Sequence, residues 1–199
     1  MIHPGLALAL ALLSQDSSTL ALRRRVWDGL TALERAEQHR GTSAARILVE
    51  VRSRLDTMVF ATSWGGAELD QLRLAFPGSA LLARYAARLD ERAGRTDTAL
   101  TEVERLLRVE PSDVELQRMR GRLLDTANRP GEAQDAYARA LDLAPEDDST
   151  FRALQNLSQR QGTLGVLLEQ IRRLRIRLPS SAALADHEIE VMQRLRVTR

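Results

Sequence analysis

Pro77, Pro111, Pro145 and Pro179 stand 34 residues apart, each from the next. Four of the six prolines on one comb impose a repeated unit on the chain. A proline placed after an amphipathic stretch closes a helix that it cannot continue. A unit of this length has room for one helix–turn–helix, which cannot bury its apolar face alone and must stack on neighbours. Counting each unit from the third residue after its proline gives 80–113, 114–147 and 148–181. One period earlier lies a degenerate unit, 46–79.

The interior of the units repeats with the prolines. The eighth residue is Ala87, Gly121 and Gln155; the fifteenth is Gly94, Asn128 and Gly162; the twentieth is Ala99, Ala133 and Leu167. Val103, Tyr137 and Ile171 follow at the twenty-fourth, and Leu106, Ala140 and Leu174 at the twenty-seventh. The degenerate unit offers Gly65, Leu69 and Leu72 at the last three of these places. At 100° per residue Leu82, Tyr85, Ala86, Leu89 and Ala93 fall on one arc, which predicts an amphipathic first helix. Ala99, Val103 and Leu106 recur at i, i+4 and i+7 and predict the second. Gly94 and Gly162 suit helix ends that need a positive φ. Asn128-Arg129-Pro130-Gly131 serves as the equivalent turn, with Pro130 opening the next helix.

This pattern resembles the tetratricopeptide repeat, whose 34-residue unit carries small residues where its two helices touch and a closing proline. The stretch from Gly121 to Pro145 carries the likeness best. The resemblance implies an all-α, right-handed superhelical solenoid of about three and a half repeats. Residues 1–45 would form an N-terminal helical segment on the array, and 182–199 a capping helix and tail. A helix over 17–40, opened by Ser17 or Ser18, would pack through Leu20, Val26, Trp27, Leu30 and Leu33. The chain departs from the family in places. Of the large aromatics usual at the fourth residue only Phe151 is present, with Ala83 and Gln117 elsewhere. Arg120, Gln155 and Leu167 replace a leucine and two small residues, which predicts looser or shifted packing in the last two units.

Composition narrows the chemistry. With no cysteine, disulfide scaffolds, thiol nucleophiles and cysteine metal sites are excluded. No run of 18 apolar residues is present to span a bilayer. All 29 basic residues are arginine, yet the net charge is only +2, so no general attraction to nucleic acid is expected. His3, His39 and His187 are scattered over the flanks. Asp186-His187-Glu188 points to three helix faces and reads as a solvated polar stretch rather than an acid–base cluster. Gly65-Gly66 lacks the context of a phosphate loop. The reading is therefore of a protein that is not an enzyme and needs no cofactor or metal. Leu6 to Leu13 is apolar, but no basic residue precedes it and no clear cleavage site follows. A packed helix and a cytoplasmic location are expected, with export through an atypical signal as the alternative.

The arginines form a comb of their own. Arg84, Arg118 and Arg152 are the fifth residues of the three good units. Arg88, Arg122 and Asn156 are the ninth, with Arg54 at that place in the degenerate unit. Fifth and ninth residues are i, i+4 neighbours on the helix face opposite the apolar arc. By the resemblance this face lines a concave groove, where family members hold C-terminal carboxylates of acidic tails. The expected partner is another protein, offering an extended peptide, an acidic tail or a helix. The alternative is a structural subunit clamped permanently in a larger assembly, with Trp27, Phe60, Trp64 and Phe76 available for an interface or, more simply, for the core. Asp90, Glu91, Glu115 and Asp125 lie on first helices and would neutralise the groove if they paired with its arginines. A second basic run, Arg172-Arg173-x-Arg175-x-Arg177, reads as a solvated outer face above a buried stripe of Ile171, Leu174 and Leu178.

Overall fold

The computed structural model describes residues 17–38, 44–60 and 66–197. The readings for His3, Leu6–Leu13, His39, Trp64 and Gly65 lie outside these, as does that for the Phe60 side chain. Ten helices are present among the described residues: α1 (Ser17–Gln38), α2 (Ala44–Phe60), α3 (Gly66–Ala75), α4 (Ala80–Arg92), α5 (Thr96–Val109), α6 (Val114–Thr126), α7 (Pro130–Leu143), α8 (Asp148–Gln161), α9 (Leu164–Arg177) and α10 (Ala182–Val197). The chain divides into two compact units, 1–89 and 90–199.

In the first unit α1 packs on α2. Val26, Leu30 and Leu33 of α1 join Val51 and Leu55 of α2, Leu69 and Leu72 of α3, and Leu82 and Tyr85 of α4 in one apolar core. Gly29 permits the α1–α2 approach, since a β-carbon there would lie 2.6 Å from Val51 Cγ2. Trp27 meets Phe76 edge to face at 5.0 Å, a core contact. The buried Tyr85 hydroxyl lies 2.9 Å from the Arg52 carbonyl and 2.8 Å from Asp56 Oδ1. Burial and that carboxylate both push the phenol well above its ordinary pKa.

In the second unit each helix from α5 to α9 packs on the one that follows it, and α8 also meets α10. The turns that follow α4, α6 and α8 hold Gly94 (φ 72°), Asn128 (φ 57°) and Gly162 (φ 71°), left-handed residues that end a helix. The Leu116 N–H donates to Asp113 Oδ1 at 2.8 Å and caps α6, while Asp147 accepts from the Ser149 N–H at the start of α8. Pro130 occupies the first turn of α7, where its missing N–H costs nothing. Gly121 lies against the Tyr137 ring, 2.8 Å from where a β-carbon would sit. Ala133, the small residue at the twentieth place of the same unit, is fully buried, yet it is Tyr137 that closes over Gly121. Burial lifts the Tyr137 phenol to about 12.

The structure corrects several sequence readings. Ala93 is exposed because α4 ends at Arg92, and Leu178 is 40% exposed because α9 ends at Arg177. Gln117 and Gln155, where the sequence departs from the family pattern, are both buried. The Gln117 amide donates to the Pro111 carbonyl at 3.0 Å, but Gln155 Nε2 has no hydrogen-bond partner among the described residues. The largest correction concerns Asp186-His187-Glu188. Only Asp186 is solvated; His187 and Glu188 are buried. His187 stacks on Phe151 at 3.7 Å with 12° between the rings, and Glu188 is held by Arg172 and Arg175 of α9. Because α10 packs on both α9 and α8, His187 and Glu188 face those helices rather than solvent.

Candidate binding surface

The arginine comb is best followed within each unit. In the first, Arg54 of α2 is ion-paired with Glu50 and donates to the Arg25 carbonyl at 3.1 Å. Arg88 of α4 lies 3.4 Å from Asp56 Oδ1 and over the Tyr85 ring, while Arg84 is half-buried on the same helix. In the second unit, Arg118 and Arg122 of α6 and Arg152 and Asn156 of α8 all reach the surface. Each of these three arginines has a carboxylate beside it. Arg118 takes Asp147 at 3.2 Å together with the Ser149 hydroxyl. Arg152 takes Asp148 at 2.7 Å, one turn back on its own helix.

Arg122 makes the most specific of these pairs. Its Nε and Nη2 donate to the two oxygens of Glu91 at 2.8 and 3.1 Å, a two-pronged fork. The hydrogen bonds to Glu91 raise the arginine pKa further. Asp147 is drawn both ways: burial raises its pKa, but hydrogen bonds from Thr150 and Ser149 and the charge of Arg118 outweigh it, and the carboxyl sits below its ordinary value. The surface is thus a row of alternating charge, with arginines already engaged by carboxylates. Asn156 adds an exposed neutral amide at the end of the row.

A second comb escaped the sequence reading. Glu91, Asp125 and Gln159 are the twelfth residues of successive units, and each accepts from an arginine on the next first helix. Arg122 serves Glu91, Arg160 serves Asp125 at 2.7 and 2.6 Å, and Arg194 serves Gln159 at 2.5 Å. The last two donors are themselves 34 residues apart. The signal was present in that spacing, but the acceptors change from Glu to Asp to Gln, which hides them from a search by charge. Second helices are linked similarly: Gln170 donates to the Ala138 carbonyl at 2.9 Å and to Asp142 at 3.0 Å.

The basic run on α9 is only half solvated. Arg172 and Arg175 hold Glu188 of α10, and their hydrogen bonds keep its carboxyl below the usual range. Arg173 and Arg177 are exposed, beside Ile176, which is 82% exposed. Among the described residues no cluster of His, Asp and Glu could hold a metal ion, and no helix is long and apolar enough to cross a membrane.

No family model matches the chain, and no curated protein matches it. Solved structures do. MamA from Desulfovibrio magneticus RS-1, residues 41 to the end, superposes with a TM-score of 0.52 at 18% identity, over 87% of this chain and 96% of its own. MamA AMB-1 gives 0.50 at 19% identity, over 75% and 95%. Human IFIT1, solved as a dimer with PPP-AAAA, gives 0.50 at 14% identity, over 75% of this chain and 43% of its own. At such identities the likeness is one of fold, and that fold is an all-α, tetratricopeptide-like helical repeat.

Proposed function

We propose that this chain is a non-catalytic protein-interaction module that takes an acidic segment or a free C-terminal carboxylate on the arginine face of α6 and α8. The observation that supports this reading is the Arg122–Glu91 fork, a two-pronged carboxylate grip on a solvent-facing helix surface. Arg118 with Asp147 and Arg152 with Asp148 extend the row, so internal carboxylates stand where ligand carboxylates would bind. Exposed pairs of this kind contribute under about 1 kcal/mol each, so an incoming carboxylate displaces them at little cost. Asn156 supplies a neutral donor beside Arg152. Several such contacts, less the cost of ordering the peptide, support affinities of about micromolar.

The test uses a fluorescent peptide rich in Asp and Glu, with its C-terminus free or amidated. Binding is expected to weaken as salt screens an open surface over roughly 8 Å at physiological ionic strength. Arg118→Glu with Arg122→Glu should weaken it by at least about tenfold. Arg139→Glu with Arg173→Glu, both on exposed faces of second helices, should leave it unchanged. Equal binding by the two double variants would remove the arginine face from consideration.

A further inference from the structure

The outward face of α10 is the one first-helix face in the second unit that no later helix covers among the described residues. On α8 the fourth, eighth and eleventh residues of the repeat, Phe151, Gln155 and Ser158, are all buried. Their counterparts on α10 are open: Ile189 is 50% exposed, and Ala185 and Met192 are partly so. Gln193 is the fourth tooth of the comb begun by Glu91, Asp125 and Gln159, and it is exposed where each of those is filled by an arginine. The stacking surface that joins one repeat to the next therefore continues onto a face left open among the described residues.

The charges of α10 say what fits there. Glu188 is taken by Arg172 and Arg175, Glu190 lies 3.4 Å from Arg194, and Arg194 also holds Gln159. Asp186 and Arg196 are exposed and have no ion pair among the described residues. At 100° per residue they share one arc with Ile189 and Gln193. Asp186 with Arg196, and Ile189 with Gln193, both straddle residue 191. An antiparallel copy of this helix, centred on that residue, sets Asp186 of each protomer level with Arg196 of the other and Ile189 against Gln193.

We infer that a second copy of this chain docks on α10 through a two-fold antiparallel α10–α10 contact. Such an interface is the same patch on both protomers, so one substitution strikes it twice. Sedimentation velocity over a concentration series up to about 0.5 mM is expected to show a reversible monomer–dimer equilibrium. Ile189→Arg should raise its dissociation constant by about tenfold or more. Asp186→Arg alone sets two arginines against each other and should do the same, whereas Asp186→Arg with Arg196→Asp rebuilds both pairs and should return it to within about twofold. In this register Val197, 87% exposed in the single chain, stands level with Ala185 of the other protomer, so Val197→Asp should also raise the dissociation constant while leaving the monomer's fold intact. A chain that stays monomeric throughout the series overturns the inference. So does a dimer indifferent to Ile189→Arg, or a double reversal that fails to restore association.

Discussion

At Gly121 the helix backbone is pressed against an aromatic ring. A β-carbon would lie 2.8 Å from Tyr137 Cδ1, and a ring held on a fully packed helix has little freedom to withdraw. Gly121→Ala is expected to cost about 1–3 kcal/mol, despite alanine's better helix propensity, and to lower the thermal midpoint. At Gly165, where a β-carbon would meet no side chain or other helix within 4 Å among the described residues, the same change should be neutral or stabilising. His187 offers a test by pH. Burial holds its imidazole below the ordinary pKa, against the nearby charge of Asp148, Glu190 and Asp186. As pH falls below about 6.5 the unfolded chain takes up the proton first, so stability declines until the folded pKa is passed. A His187→Phe variant keeps the ring stack on Phe151 and should lose this slope, which the difference between the two melting curves between about pH 7 and 5 will show. The need for a small residue at Gly121 was legible from the 34-residue period, but its neighbour was not: Tyr137 and Ala133 are one helical turn apart and equally well placed on paper. His187 was misread because its burial depends on Phe151, 36 residues away on another helix, and no local pattern carries that.

Helix ends were the most readable elements, because a proline, a glycine with positive φ or a capping Asp acts within one turn of itself. The bonds between helices were less so, since they join residues at matching heights on different helices. Asp125 and Arg160 illustrate the point: one is exposed, the other half-buried, and their guanidinium–carboxylate contact lies at 2.6 Å. A double-mutant cycle on Asp125→Ala and Arg160→Ala should return a coupling of about 0.5 kcal/mol, as for other solvent-facing pairs. The forked Glu91–Arg122 pair should return about 1 kcal/mol. If both couplings vanish in moderate salt, stacking rests on apolar burial alone.

At the scale of the whole chain, the tertiary hydrogen bonds described above reach no more than 35 residues along the sequence. A structure tied by such near links transmits damage to its neighbours and little further. Glu188→Ala leaves Arg172 and Arg175 without their shared carboxylate, so amide exchange should quicken in α10 first, then in α8 and α9, with α6 still protected. Uniform quickening across all of these helices would mean that the unit opens as one body.

The comb of twelfth-residue acceptors also sets the step by which such a gene can grow or shrink. Excising residues 114–147 would bring Glu91 to the place of Asp125, facing Arg160, and the bond would re-form between residues that had never met. Removing one residue more or fewer swings the donor across the junction, Arg160, by about 100° around its helix and strands it, while Gln159 and Arg194 beyond it keep their spacing. Duplication or loss of a whole unit is then nearly silent, while a slip of a single codon is not.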